Sequence, residues 1–500
     1  MSETLVEANP IDPGSVDLGE DQTRYLRVLT ILLTSGLWGS QLFRSLWLDE
    51  LGSYWIVKGG IIHATQRALQ YQGESPFYYW LLWISRNLFG RSEISLRVPS
   101  VIAGAIGTYL IYRLGRRLID KEMGLLAAAV FASFSSVAFA AVDARPYSLA
   151  LALSIGATTA LLQWLESSKR SWAVLYVILA ALTVYAHFIF ALALLPHLVF
   201  SLARKGKRPP LRNILGAWIA IVILTIPVMP QFISLLSRRS ALTIPTQLTA
   251  DKFWTTLAPP ILIVGIVAGF LISRLFDATR LAATRPQSPS AGRLVFGFAL
   301  PSTVLFALSI ATPTTLFQPR YYLMQVPYLA LLAGWGLRSF EPERARRVAL
   351  LSLAVVSVLS YQSINADMAQ NWRGAAKTVN AFVHDATTPV LVRTALIESR
   401  DVSWLRDPKR QGYLLSPLSL YPMEGKVIAL PFDLTHGGSA YLEALVSGPL
   451  MHAKRFVLVS NYATPIEDWL EGRLQDTFAA RIVWSSGSTH VTEFMRPIQQ

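Results

Sequence analysis

The 500-residue sequence contains no cysteine, which excludes disulfides, thiolate metal sites and cysteine nucleophiles. Charge is also scarce. Asp, Glu, Lys and Arg make up 15% of the chain, 52% is apolar and the mean hydropathy is +0.40, whereas soluble domains carry roughly 25% charge. Such a chain cannot cover several water-soluble cores, and the same numbers exclude disorder, collagen and coiled coil for its bulk. HExxH, GxSxG and Walker loops are absent, as are internal repeats and any glycine-rich phosphate loop after a strand. The first 23 residues are polar and acidic with two prolines, the reverse of a signal peptide's basic start. Residues 1–23 are expected to be a disordered cytoplasmic tail.

What is present is a series of apolar runs long enough, or nearly so, to cross about 30 Å of hydrocarbon. They lie near 26–43, 96–112, 123–142, 147–165, 172–185, 188–203, 213–236, 256–273, 294–311, 323–337 and 348–362, predicting about eleven transmembrane helices. The net charge is +14 and the pI about 9.9. The basic residues cluster between apolar runs, so the charge reads as membrane topology rather than nucleic-acid binding. Loops 113–121, 166–171, 204–212, 274–293 and 338–347 hold 19 Lys/Arg in 54 residues, against 10 in 88 for loops 44–95, 143–146, 186–187, 237–255 and 312–322. The richer set is assigned to the cytoplasm. That places the N-terminus inside and residues 363–500 outside.

Residues 75–90 (SPFYYWLLWISRNLFG) are apolar, but a span there would invert every later loop. With Tyr78, Tyr79, Trp80 and Trp83 the segment reads as an interfacial helix anchored at headgroup depth. Beyond 363 the apolar runs shrink to strand length, at 389–392, 426–430, 455–460, 481–486 and 490–495, with helix-like segments at 372–384 and 465–478. The expected organisation is a polytopic α-helical membrane domain over 24–362, whose first outer loop is 44–95, and a small extracytoplasmic α/β domain over 363–500.

Four polar clusters fall at the outer ends of the spans. Asp49 and Glu50 in WLDE are either a general-base pair or solvated acids at a helix start. Asp143 and Arg145 in DARPY, ending at Tyr147, form either an anion-binding turn or a snorkelling arginine with its counter-ion. His187 in YAHF is a phosphate or metal contact, or a satisfied structural histidine; His197 lies inside a span and reads as packing. Arg320 in QPRYY, followed by Tyr321, has no acid beside it in sequence. It reads as a phosphate ligand or an interfacial anchor. Few ionisable residues fall at mid-span, where transporters keep coupling groups.

The acidic pair after the first span, the aromatic helix ending in LFG, ISLRVPSVIAGAIGTYLIYRLGRRL, the ARPY turn and PRYYLMQVPYLALLAGWGL together resemble a known superfamily. It is the GT-C glycosyltransferases of the family-39 type, which include protein O-mannosyltransferases and bacterial lipid A aminoarabinose transferases. The resemblance runs over about residues 26–340, and NWRGAAKTV from Asn371 resembles the start of the outer domain in bacterial members. It implies a GT-C fold and an inverting, polyprenyl-phosphate-sugar-dependent hexosyl- or pentosyltransferase of cell-envelope glycan, lipopolysaccharide or protein glycosylation, in the bacterial inner membrane. Its acceptor is a glycan, lipid or protein hydroxyl on the outer face. Carried over, Asp49 is the base with Glu50 beside it. Arg145, Arg320, His187 and Tyr321 contact the donor phosphate, supported by Asp143 and Tyr147. Where members carry His or Lys before the prolines of the aromatic helix, this chain has Gly73-Glu74-Ser75-Pro76. Glu74 has the wrong sign there, and Lys58 or Arg67 of the same loop is a candidate substitute. A divalent metal is left open, with Asp49, Glu50, Asp143, Glu74 and His187 as the candidate ligands. The competing class is a transporter or lipid flippase, which moves its cargo without covalent chemistry.

Overall fold

The computed structural model describes residues 20–497 apart from 73–74, 203–208, 238–248, 258, 277–279, 282–289, 312–318 and 463–464. The apolar runs are helical. The first forms α1 (Glu20–Leu42) and the second α5 (Glu93–Leu118); the segment between them folds as α2 (Leu48–Val57), α3 (Ile61–Arg67) and α4 (Phe77–Phe89). There follow α6 (Lys121–Ser133), α7 (Ser135–Ala141), α8 (Tyr147–Ser167) and α9 (Arg170–Ala186).

Among the described residues, three helices are long and apolar enough to cross a membrane: 93–118, 147–167 and 211–235. The pair α6 and α7 is a fourth if a 70° bend is counted within one span; 170–186, 188–202, 262–275 and 297–311 are apolar but shorter. The bend sits at Phe134, whose extended backbone (φ −62°, ψ 125°) interrupts the helix. Helix α6 starts where the Asp120 side chain accepts from Met123 N, so one of the orphan N–H groups at its start is satisfied. Helices α5 and α6 approach closely through two glycines: a Cβ on Gly115 would lie 2.7 Å from Gly124 Cα. Small residues at such crossings are what lets membrane helices gain contact area.

The aromatic helix α4 differs from the interfacial-anchor reading in one respect. Tyr78 and Tyr79 are fully buried, with Leu82, Ser85 and Arg86 continuing the same face, while Trp80 is exposed. The repeat of roughly four residues turns the two tyrosines inward against α5, where Tyr78 and Ser100 share a hydrogen bond of 3.0 Å. The tryptophans tie the loop together. Trp80 Nε1 donates to Thr65 Oγ1 and Trp83 Nε1 to the Gly59 carbonyl, both at 2.9 Å.

Residues 389–495 hold a five-stranded sheet built from β1 (Pro389–Arg393), β2 (Lys426–Ala429), β3 (Arg455–Asn461), β4 (Ala479–Ser486) and β5 (Thr489–Met495), ordered β2-β1-β3-β5-β4. The pairs β1/β2 and β1/β3 are parallel, and β5 pairs antiparallel with β3 and β4. Helices Trp372–Phe382, His436–Leu445 and Pro465–Leu474 accompany the sheet. One apolar cluster runs from α2 and α4 (Leu51, Tyr54, Tyr79) into this region (Trp372, Tyr413, Leu414). Polar pins cross the same seam. Gln370 Oε1 accepts from Leu48 N at 2.8 Å and from Trp372 Nε1 at 3.1 Å, and Tyr421 Oη accepts from Leu46 N at 3.1 Å while donating to Glu93 Oε1 at 2.9 Å.

Candidate active site

The acidic pair opens α2, and its two carboxylates have different surroundings. Glu50 is fully buried. Its Oε1 accepts from Arg97 Nε at 2.8 Å and Ala144 N at 2.9 Å, and its Oε2 from Arg97 Nη2 at 2.6 Å and Trp47 N at 3.2 Å. The fork-to-carboxylate geometry is the strong bidentate kind, and both oxygens are committed. Arg97 Nη1 meanwhile donates to the carbonyls of Gln41, Leu42 and Arg44 at 2.8, 3.0 and 3.0 Å. One guanidinium therefore closes the end of α1, holds the start of α2 and, through Glu50, fixes the turn before α8. Sequence reasoning missed Arg97. Its signal was a basic residue at the rim of an apolar run, which in a membrane helix marks function or a buried pair.

Asp49 faces the other way. Its side chain is 26% exposed, and Oδ2 lies 3.4 Å from Arg320 Nη1. Arg320 arrives on a short 3-10 turn, Pro319–Gln325, with its guanidinium carbon 5.3 Å from the centroid of the Tyr321 ring. The Tyr321 ring lies 5.7 Å from His187, which in turn lies 5.1 Å from Tyr147. The turn after α7 brings Arg145, whose Nη1 donates to Tyr79 Oη at 3.3 Å, and Ser100 Oγ holds its carbonyl at 3.2 Å. Asp49, Arg145, Tyr147, His187, Arg320 and Tyr321, spread over 273 positions of sequence, thus come from four separate segments to one region.

Asp143 is buried. Its Oδ1 accepts from Trp47 Nε1 at 3.0 Å, and Oδ2 has no hydrogen-bond partner among the described residues. Burial first, and then the neighbouring Glu50 charge, hold its carboxyl well above the usual carboxylate range. The sign follows: between the unfolded value near 4 and the raised folded value, the native state binds more protons, so this residue's contribution to stability falls as pH rises through that window. Asp143→Asn keeps the Trp47 acceptor. Its thermal midpoint in detergent is expected to equal that of the native protein below about pH 4 and to exceed it increasingly as pH rises. Parallel midpoints across the pH series would refute the assignment.

The remaining sequence candidates stand apart. Lys58 is exposed at the far end of α2, about 13 Å along the helix axis from Asp49 at 1.5 Å per residue. Arg67 is committed to Trp55, donating to its carbonyl at 2.7 Å with the guanidinium 4.3 Å from the ring centroid. Glu74 lies outside the described residues. His197 is buried and hydrogen-bonded to Thr158 at 2.9 Å, as a packing residue is. The candidate metal ligands do not converge: Glu50 has no free oxygen, and among the described residues no group of three or more acidic or histidine side chains is placed to hold an ion.

The described structure superposes on the crystal structure of ArnT from Cupriavidus metallidurans in the apo state with a TM-score of 0.55 at 11% identity, and on the same protein bound to undecaprenyl phosphate with 0.56 at 13%, covering 95% of this chain and 98% of that one in both cases. The fold is of the GT-C type. Residues 73–233 match the family described as dolichyl-phosphate-mannose-protein mannosyltransferase. Over 119 residues the chain is 29% identical to the undecaprenyl phosphate-alpha-4-amino-4-deoxy-L-arabinose arabinosyl transferases of Pseudomonas paraeruginosa PA7 and Pseudomonas aeruginosa PAO1. That stretch is 24% of this chain and 18% of those relatives, so less than a fifth of their length is matched. The GT-C resemblance read from the sequence therefore stands, and the family match takes in α4, α5 and the ARPY turn.

Proposed function

We propose that this chain is an inverting glycosyltransferase, moving a sugar from a polyprenyl-phosphate donor to an acceptor hydroxyl at the outer face of a bacterial inner membrane. The reading includes about eleven spans, a cytoplasmic N-terminus and an outer domain over 363–500. The observation that carries it is the division of labour in the acidic pair: Glu50 is saturated and buried, while Asp49 is open and faces a cation. As the acceptor oxygen attacks the anomeric carbon, its proton passes to Asp49; a free carboxylate is too weak to ionise an alcohol beforehand, so transfer accompanies bond formation. The bond from the anomeric carbon to the phosphate oxygen breaks, and the electron pair leaves with the polyprenyl phosphate. Arg320 and Arg145 stabilise that growing charge. At 3.4 Å the Asp49–Arg320 contact is long for an ion pair, so an arriving phosphate can take Arg320 and leave the carboxylate free. Tyr321, His187 and Tyr147 form the ring surface beside it.

The test is reconstitution with polyprenyl-phosphate sugars and an acceptor-containing membrane extract, following donor loss by mass spectrometry. Consumption is expected, and the consumed lipid names the sugar. Movement of the donor across the bilayer without consumption would instead establish the transporter or flippase. Arg320→Ala is expected to lower turnover by about 10²–10³, the usual cost of one contact to developing charge. A variant within a factor of about three of the native enzyme would remove Arg320 from the phosphate site.

A further inference from the structure

A groove of about 710 Å³ runs between α4, α5, α8 and α9; Asp49 and the residues gathered around it do not line it. Ala152, Gly156 and Ala160 do. Spaced four apart, they share one face of α8 and give the groove a floor without bulk, with Ile106 of α5 and Leu179 of α9 among its walls. Ile102, Ile106 and Tyr109 are each at least 50% exposed, so the groove opens sideways from a helix long and apolar enough to cross a membrane. The α5 residues that line it run from Val98 to Arg113, about 22 Å at 1.5 Å per residue. That exceeds one leaflet's share, about 15 Å, of the hydrocarbon layer.

One end is charged. Arg113 lines it, exposed, with Nη1 donating to Tyr109 Oη at 3.1 Å. Among the described residues no acid lies within ion-pair distance of its guanidinium, and Glu166, at the end of α8, is taken by Arg117. Arg116, Lys169 and Arg170, at the neighbouring ends of α5 and α9, are exposed as well. Trp172, a residue type favoured at headgroup depth, also lines the groove. Arg113 stands about 24 Å along α5 from Arg97, the partner of Glu50. It therefore belongs to the opposite end of the bundle from Arg320 and Arg145, out of reach of a phosphate held there.

We propose that this groove binds one anionic phospholipid, its phosphate at Arg113 and one acyl chain along Ala160, Gly156 and Ala152. A chain that leaves the bilayer for an apolar groove gains no hydrophobic energy, so packing and the headgroup decide which lipid stays. The floor of small residues supplies the packing. An unneutralised guanidinium flanked by three further exposed cations selects a negative headgroup; a zwitterionic lipid fits the floor equally but brings a cation to Arg113 along with its phosphate. The bound chain also braces α5, whose first turns hold Glu50 through Arg97 and the Arg145 carbonyl through Ser100. Such binding does not depend on sugar transfer.

The test uses the full-length protein in nanodiscs of phosphatidylglycerol and phosphatidylcholine in equal amounts, with retained lipid counted by native mass spectrometry. One phosphatidylglycerol is expected to stay in preference to phosphatidylcholine. Arg113→Gln should lower that preference about fivefold, the equivalent of the roughly 1 kcal/mol that one basic residue contributes at an anionic surface. Arg24→Gln, which removes an exposed cation at the start of α1 outside the groove, should leave it unchanged. Added phosphatidylglycerol should raise the thermal midpoint of the native protein and not that of Arg113→Gln. Ala160→Leu, which fills the floor, should lower retention of both lipids; should it not fold, the Arg113 and Arg24 variants decide alone. Equal losses in Arg113→Gln and Arg24→Gln would reduce the effect to diffuse charge and overturn the site, as would native retention by a folded Ala160→Leu. Displacement by soluble glycerol 3-phosphate, or a lipid-free dimer that covers the groove, would overturn it too. None of these readouts depends on turnover, so failure here leaves the reading of the Asp49 cluster standing.

Discussion

Asp49→Asn is expected to lower the rate of sugar transfer by about 10²–10⁴-fold, the range that general-base catalysis supplies, while leaving the fold intact. The amide preserves the volume and can still accept from Arg320, so the geometry at the α2 start survives. What it loses is the capacity to take a proton during attack. Donor affinity, measured by retention of the polyprenyl-phosphate sugar, should change little, so the loss falls on turnover. Two outcomes would sink the assignment. Donor consumption at the native rate would mean another group removes the proton. Loss of folded protein would mean that Asp49 is structural, as Glu50 is.

Glu50 and Arg97 carry the largest expected effect on stability. Removing one partner of a buried, hydrogen-bonded ion pair leaves the other charge stranded, at a cost of about 3–5 kcal/mol. Arg97→Met is therefore expected to lower the thermal midpoint sharply and, because Glu50 also holds Trp47 N and Ala144 N, to displace Asp143 and Arg145. The double change Glu50→Leu with Arg97→Met removes both charges and should recover much of the stability, since apolar replacement of such pairs is often neutral. It should not recover activity, because the turn before α8 has lost its anchor. Thermal unfolding in detergent beside donor consumption separates the two. A single variant within about 1 kcal/mol of the native protein would show that the pair is not the keystone its geometry indicates.

The helices were legible because length and apolarity are written in consecutive residues: Tyr147–Ser167 was expected over 147–165, and Glu93–Leu118 over 96–112. The strand-length runs at 389–392 and 455–460 likewise fall within β1 and β3. The site was less legible. WLDE shows two equal acids, and nothing local separates them, because the group that claims Glu50 stands 47 positions on in an apolar helix. By composition the aromatic helix reads as a headgroup anchor, whereas the spacing of Tyr78, Tyr79 and Leu82 turns that face inward. Lys58 and Arg67 were plausible by loop membership alone; the length of α2 carries the first away, and Trp55 claims the second.

The amide of Gln370 has a consequence of its own. A single oxygen in the segment leading to the sheet accepts the first free N–H of the helix that bears Asp49, and the Tyr421 hydroxyl accepts from a residue just before it. The aim of the Asp49 side chain is thus set partly by residues more than 300 positions later. Chimaeras that exchange the sheet-bearing segment between relatives would inherit a slack α2 start unless an amide and a phenol came across at those two places. Descent with modification would then hold the two portions together, so that new acceptor preferences arise by altering the seam rather than by swapping the modules on either side of it.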